Sequence, residues 1–177
     1  MKLSKVERLI LANQYQLLSN EENEYLTKEM CLNYSTILLQ GYELLYDDLF
    51  SGMDEVVSSE KCSFVGDVLN MYRIISNSFR RLPRTSLSKE DIAFKGFDGN
   101  EETEEYSFLN FLINDYKRYR ELKENKFMQE NSHGHMISRY QEELDTYNTI
   151  IDTKKGTYMP YGYELTEEEI KLILNLK

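Results

Sequence analysis

The chain has 177 residues, of which 41% are hydrophobic and 29% charged, as in an ordinary soluble globular protein. This length is enough for one domain whose core needs neither disulfides nor metal. The net charge of -10 argues against nucleic-acid binding, because such a surface repels a phosphate backbone. Only 2 prolines and 8 glycines interrupt the chain, which favours long helices over many short strands.

The N-terminal stretch does not read as a secretory signal, since Glu7 and Arg8 interrupt it before any long apolar run. No segment approaches the length of about 18 apolar residues that a membrane span needs. Cys31 and Cys62 stand outside any metal or redox spacing, so we expect reduced thiols. We therefore expect a cytoplasmic protein with no membrane partner.

Two helices are predicted in the first forty residues. Ser4-x-x-Glu7 has the pattern of a capping box and predicts the start of the first helix. Its apolar side, called here the N-terminal stripe, consists of Leu3, Val6, Ile10, Asn13 and Leu17. A second helix is predicted from Asn20 to Leu39, with Gly41 as its stop. Residues 41–58 are expected to be a connection with a short helical turn.

Four further helices follow from the spacing of apolar residues. A run of spacings of three and four from Val65 to Leu82 predicts the third helix, which Pro83 ends. Asp98 is the predicted cap of a fourth helix. Its buried side is expected to carry Leu109, Leu112, Tyr116 and Tyr119. The fifth helix has a stripe formed by Ile137, Tyr140, Leu144, Tyr147 and Ile151. Thr166-x-x-Glu169 caps the last one. The sequence thus predicts an all-α fold, a single multihelical domain over residues 1–177 with about five to six helices and short connections.

Three segments, in this order and spacing, resemble the YfbU family of bacterial proteins. They are Arg8 to Leu11 with Asn13 to Tyr15, Gly96 to Asp98 with Glu102, and Arg139 to Leu144. The resemblance extends over nearly the whole chain. It implies a cytoplasmic, predominantly helical protein that self-associates, and it implies no particular activity.

Arg8 and Asn13 break the rules of an ordinary amphipathic helix. Arg8 lies early in the first helix, where the dipole disfavours a cation, and Asn13 interrupts the N-terminal stripe. A buried amide needs definite partners, so Asn13 either fixes packing register and oligomer state or lines a polar pocket. In the second case Arg8 would be available for an anionic ligand. A small-molecule or hydrolytic site would bring Arg8, Asn13, Asp98 and His133 together.

The two histidines, His133 and His135, form an H-x-H pattern, for which Glu130 and Asp152 are candidate third metal ligands. This pattern is a weak metal signal, because no further His or Cys completes the set. We therefore expect no metal and no cofactor. Ser132 or His135 is instead expected to cap the fifth helix, with His133 folded onto its loop. The acidic residues between 98 and 105 are expected to serve as caps and dipole partners at the start of the fourth helix.

A tyrosine-rich loop near the C-terminus offers two interpretations. Tyr158, Tyr161 and Tyr163 either anchor a protein partner or cover the end of the helical bundle. A third possibility for function is a nucleic-acid-associated regulator that uses two basic helix ends, around Arg81 and around Arg118. Because no catalytic motif is recognisable, an enzyme is not indicated. The sequence predicts a homo-oligomeric helical binding module.

Overall fold

The computed structural model describes residues 2–53, 55–154 and 163–176. Over these residues the secondary structure is helical, with two isolated β-bridges and no strand. The α-helices are α1 Lys5–Leu18, α2 Lys28–Gln40, α3 Tyr46–Leu49, α4 Ser59–Phe79, α5 Lys89–Ile92, α6 Thr103–Asn110, α7 Arg120–Glu124, α8 Ile137–Thr153 and α9 Glu167–Ile173. The all-α prediction is confirmed. The predicted number of five to six helices is too low for the described residues, because α3, α5 and α7 are additional helices of four or five residues.

The residue contacts divide the chain into two compact units, Met1–Val56 and Val57–Lys177, each of which is described by itself. In the first unit α1 packs against α2. The predicted capping box is present, since the Glu7 amide donates to Ser4 Oγ and the Ser4 amide to Glu7 Oε2. Gly41 adopts a left-handed conformation with φ 74° and ends α2 as predicted.

The predicted start of α2 at Asn20 is wrong. The Asn23 side chain accepts hydrogen bonds from the amides of Tyr25 and Leu26, which holds this segment in a turn. Thr27 then caps the helix by accepting from the Met30 amide. The local side-chain bond of Asn23 therefore competes successfully with helix formation over residues 20–26.

Apart from Leu3, which precedes α1, the N-terminal stripe does not face the core of the first unit. Val6, Ile10 and Leu17 are 67%, 54% and 63% exposed, and Asn13 is exposed as well. The opposite side of α1 is the buried one. The core cluster consists of Ala12, Leu38 and Tyr46, with Leu3, Leu11, Tyr15, Ile37 and Leu49 packed partly against it. The predicted orientation of α1 is therefore wrong, although its periodicity is right.

The second unit is built around α4, whose predicted stripe is buried. Val65, Val68, Tyr72 and Ile75 are all almost completely inaccessible, and Phe79 packs against the same core. Twenty-one buried residues form this core. Side chains from α4, from the loop before α6, from α6, from α8 and from α9 meet in it, so the apolar sides of the four predicted helices of this unit pack against one another.

The predicted fourth helix is shorter and less regular than expected. It begins at Thr103 and continues through a π-helical segment, Phe111–Asp115, after which Lys117 and Tyr119 adopt left-handed conformations. A π-helical turn holds one more residue than an α-turn, so it shifts the faces that follow. Leu109 and Leu112 are buried as predicted, whereas Tyr116 is 60% exposed.

The last two long helices agree with the sequence better. Ile137, Leu144, Tyr147 and Ile151 pack against the core, and Tyr140 is fully buried. The Thr166 hydroxyl accepts from the Glu169 amide, and the Glu169 carboxylate accepts from the Thr166 amide, so the predicted capping box of α9 is confirmed.

Candidate functional site

The four residues of the predicted polar pocket are distributed over both units. Arg8 and Asn13 belong to the first unit, and Asp98 and His133 belong to the second. Arg8 lies across the turn after α2, where its Nη1 donates to the Leu38 carbonyl at 3.3 Å. It packs so closely on Gly41 that a Cβ at that position would overlap the guanidinium group. Arg8 thus has a structural role at the end of α2.

Asn13 does not have the buried partners that the sequence predicted. Its side chain is exposed on the N-terminal stripe, in line with the exposed Ile10 and Leu17. The expectation of a buried amide within the first unit is wrong, because the stripe on which it lies is the uncovered side of α1. Its interpretation as a residue that sets oligomer register remains a prediction.

Asp98 and His133 lie in two loops that are joined to each other. Parallel bridges pair Phe94 with Met128 and Phe97 with Asn131. The Asn131 side chain accepts hydrogen bonds from the amides of His133, at 2.9 Å, and Gly99, at 3.5 Å. The structure therefore brings the two predicted loops together through Asn131, while the His133 side chain points to solvent rather than onto the loop.

Gly96 makes the close approach of these loops possible. Its φ is 86°, and an added Cβ would collide with the Glu130 carbonyl group. A residue with a side chain would suffer both the left-handed backbone and this collision. The glycine of the Gly96-Phe97-Asp98 motif is thus required by packing, not by chemistry.

Asp98 caps a turn before α6, and Glu102 completes the arrangement. Asp98 Oδ1 accepts from the amides of Asn100 and Glu101 at 2.7 and 3.3 Å. The Glu102 carboxylate accepts in return from the Asp98 amide at 2.9 Å. The predicted cap of the fourth helix at Asp98 is wrong, because Asp98 caps this preceding turn and the N-cap residue of α6 is Glu102, which makes no side-chain cap there. The reciprocal partner of Asp98 is Glu102 rather than Glu101, whose side chain is 65% exposed.

Glu102 also caps α8 from a distance. Its Oε1 accepts from the amides of Met136 and Ile137 at 2.6 and 2.8 Å, and its side chain is 1% exposed. The predicted cap from Ser132 or His135 is wrong, because this remote carboxylate satisfies the free amides at the start of the helix. In the sequence Glu102 stands out only as a member of the second segment that resembles the YfbU family, and no local pattern predicts that it caps a helix 34 residues away.

A chain of polar contacts crosses the aromatic part of the core. The Tyr140 ring lies edge-on to Tyr72 and Phe97, and its hydroxyl donates to the Gly96 carbonyl at 2.9 Å. The same hydroxyl accepts from the Lys95 amide at 3.2 Å. Tyr140 therefore fixes the glycine loop to α8, which links two of the segments that carry the family resemblance.

Glu143 is a buried carboxylate that the sequence analysis missed. It is 3% exposed, and it accepts from the Tyr72 hydroxyl at 2.8 Å and from Arg139 Nε at 2.7 Å. Its position three residues after Tyr140 and four before Tyr147 places it on the inner side of α8. That spacing was the available signal, because a glutamate on an apolar face needs partners.

Burial and these partners shift the acid–base properties of the group. Burial raises the pKa of the Glu143 carboxyl, while the hydrogen bonds from Arg139 and Tyr72 oppose that change. Burial also raises the pKa of Tyr72 well above its ordinary value, and the nearby Glu143 charge adds to this effect. Both effects keep the Tyr72 hydroxyl protonated, so it stays a donor to Glu143.

A cavity of about 480 Å³ adjoins this buried carboxylate and is called here the α8–α9 cavity. One wall is the side of α8 that carries Arg139, Glu142, Glu143 and Thr146, and the other is formed by residues 172–176 at the end of α9. A buried carboxylate held by an arginine at the edge of a cavity is an arrangement typical of binding sites. This is the candidate site of the second unit.

The remaining predicted sites are less informative. Tyr158 and Tyr161 lie outside the described residues. Tyr163 is half-buried. The pKa of Tyr147 is raised to about 12, mainly because Tyr147 is buried and to a smaller extent because Tyr163 is nearby. This places Tyr163 near the last turns of α8, and its suggested role at an interface remains a prediction.

At each basic helix end one arginine is engaged in an ion pair. Arg81 pairs with Glu164, and Arg120 pairs with Glu124. The two groups line two different cavities, one containing Arg81 and the other containing Arg120. Over the described ranges we find no group of three or more His, Cys, Asp or Glu side chains arranged to hold a metal ion. No helix in the same ranges is long and apolar enough to cross a membrane.

The described residues form an all-helical protein in which a buried carboxylate, Glu143, and its partner Arg139 line the α8–α9 cavity. Comparison with known proteins identifies it further. The YfbU domain profile matches residues 1–176, and the chain therefore belongs to the YfbU family.

Two relatives extend over almost the full length of the chain. It is 33% identical over 178 residues to the UPF0304 protein MJECS11 of Methanocaldococcus jannaschii, covering 98% of this chain and 99% of the relative. It is 28% identical over 181 residues to the UPF0304 protein PM1500 of Pasteurella multocida, covering 99% of each.

Proposed function

We propose that the protein is a cytoplasmic, homo-oligomeric helical binding module, and that its first unit forms the contact between copies. The observation that supports this proposal is the distribution of apolar surface. Of the sixteen large hydrophobic residues that are exposed in the described part of the chain, thirteen belong to residues 1–56. Apolar surface concentrated in this way is typical of an interaction surface.

A second copy of the chain is the partner that the N-terminal stripe fits. Its members are separated alternately by three and four residues, which is the spacing of the a and d positions in a coiled coil. Asn13 occupies one of these positions, where a single polar residue commonly sets register and oligomer state. Pairing two such stripes would bury Val6, Ile10 and Leu17, each contributing about 1 kcal/mol because more than half of each is exposed.

The small core of the first unit also favours a partner. Three residues form its buried cluster, compared with twenty-one in the second unit. A unit of 56 residues with so small a buried cluster has little apolar burial to stabilise it, so additional contacts would strengthen it. Association through α1 would supply that surface.

The proposal can be tested by measuring molar mass with light scattering after size-exclusion chromatography. We expect the wild type to be an oligomer and Ile10→Glu to dissociate, since a carboxylate would be placed on the apolar stripe. The matched control is Leu44→Glu, which changes a residue that is 92% exposed but lies outside the stripe. A wild type that is monomeric at every concentration would refute the proposal. So would equal dissociation of the two variants, because the stripe would then have no special role.

A further inference from the structure

The α8–α9 cavity contains an arginine that is oriented by buried partners. Arg139 Nε donates to Glu143, and Glu143 is held on its other oxygen by Tyr72. Among the described residues Glu143 is the only hydrogen-bond partner of the Arg139 side chain, and the bond is made by Nε. The N–H groups on the two terminal nitrogens of Arg139 are therefore available to donate to a ligand. The guanidinium group is therefore fixed along one edge and free along the other, as in an arginine that receives a carboxylate or a phosphate.

A free carboxylate lies beside this arginine. Glu142 is exposed and lines the same cavity, and within the described ranges its carboxylate has no hydrogen bond or ion pair. Residues three positions apart on a helix are neighbours on its surface. The arginine nevertheless pairs with Glu143, four positions along, which leaves Glu142 available.

The wall opposite α8 is largely apolar. It is formed by Leu172 to Leu176, and Leu172 is 64% exposed, one of three large hydrophobic residues with high exposure in the described part of the second unit. An exposed leucine at the edge of a cavity provides a contact for an aliphatic group. The cavity thus combines a free donor pair, a free carboxylate and an apolar surface.

We propose that the α8–α9 cavity binds a free amino acid with an aliphatic side chain. The ligand carboxylate would accept from the terminal nitrogens of Arg139, and its ammonium group would donate to Glu142. The aliphatic side chain would lie against Leu172 and the residues that follow it. A simple anion would meet the repulsion of Glu142, and a simple cation would meet that of Arg139, so only a zwitterion uses both charges.

The test measures, by isothermal titration calorimetry on the full-length protein, the binding of three probes that share the same isobutyl group. L-leucine carries both charges, isovalerate carries only the carboxylate, and isoamylamine carries only the ammonium group. We expect L-leucine to bind and each of the other two to bind at least about tenfold more weakly, since each lacks one charged contact. Isovalerate or isoamylamine binding as tightly as L-leucine would overturn the proposal in favour of an anion or a cation site. Absence of binding by all three would also overturn it.

Variants assign the binding to this cavity. Glu142→Gln should weaken L-leucine binding and leave isovalerate binding unchanged or improved, because it removes only the partner of the ammonium group. Since Glu142 is exposed, this variant is expected to fold normally. The matched control is Asp145→Asn, which removes an exposed carboxylate of α8 that is outside the cavity lining. Unchanged L-leucine binding in Glu142→Gln would refute the assignment. The result is independent of the oligomer measurement, whose variants lie in the first unit.

Discussion

Replacing Glu102 by alanine should destabilise the protein strongly, whereas the same change at Glu101 should not. The Glu102 carboxylate accepts three backbone amides, from Asp98, Met136 and Ile137. Glu101 is its direct neighbour in sequence, but its side chain is 65% exposed. The pair therefore compares two glutamates that differ in burial and partners and share nearly the same place in the chain.

The size of the effect follows from the number of hydrogen bonds. A hydrogen bond to a charged group contributes about 1.5–3 kcal/mol, and a buried donor left without a partner costs a similar amount. If water replaces part of the lost contacts, the total for Glu102→Ala is about 3–5 kcal/mol. For a chain of this length that corresponds to a decrease in Tm of roughly 6–20 °C. Glu101→Ala should change stability by no more than about 0.5 kcal/mol.

The measurement is urea denaturation of both variants, followed by circular dichroism at the helical signal. The slope of the transition should stay unchanged, since neither substitution alters the surface exposed on unfolding. Equal destabilisation by the two substitutions, or a loss of less than about 1 kcal/mol for Glu102→Ala, would show that the carboxylate of Glu102 does not hold the start of α8.

Two further predictions concern pH. Because burial raises the folded-state pKa of Glu143, the stability that this group contributes decreases as pH rises from its ordinary value of 4.5 through the folded-state value. Glu143→Gln should lack that decrease. Urea denaturation of the wild type and the variant at a series of pH values above 4.5 will measure it. The same dependence of unfolding free energy on pH in both proteins would contradict the prediction. Glu167 has the opposite sign, since hydrogen bonds, the largest from Ser86, lower its pKa to about 2. The stabilisation by Glu167 is present above pH 4.5 and lost toward pH 2. The difference in Tm between about pH 6 and about pH 3 should therefore be smaller in Glu167→Gln than in the wild type. An equal difference in the two proteins would refute this assignment.

Local signals in the sequence were sufficient for much of the fold. The capping boxes at Ser4 and Thr166 depend on residues three positions apart, so they can be recognised without tertiary information. The same holds for the stripe of α4, whose residues turn out to be buried. These elements are predictable because the interactions that define them lie within one or two helical turns.

Other features depend on contacts that a single pattern does not contain. The stripe of α1 shows that one side is apolar, but periodicity does not show whether the same chain or another molecule covers it. The end of the fourth predicted helix depends on the π-helical segment Phe111–Asp115. The spacing of apolar residues in the sequence does not show that the helix changes type there. Glu102 differs from Glu101 through donors 34 and 35 residues away, and no short-range signal separates the two.

The site illustrates the same limit. Asp98 and His133 were selected for their chemistry, and the structure does bring their loops together, yet through Asn131 and Gly96 rather than through their own side chains. Glu143 was missed although its place on the inner face of α8 could be read from its spacing to Tyr140. A charged residue that interrupts an apolar face is thus a better signal for a site than an exposed charge.

The bonds made by Glu102 also affect how the second unit opens and closes. They join the amide of Asp98 to those at the start of α8, across more than thirty residues of intervening chain that include α6 and α7. Because a single carboxylate holds both ends, its movement would release both sets of hydrogen bonds, so the two ends should fluctuate as one cooperative element. In hydrogen–deuterium exchange, the amide protons of Asp98, Met136 and Ile137 would then share one opening free energy. The first turn of α8 would be protected not by its own helix but by the ordering of a distant loop.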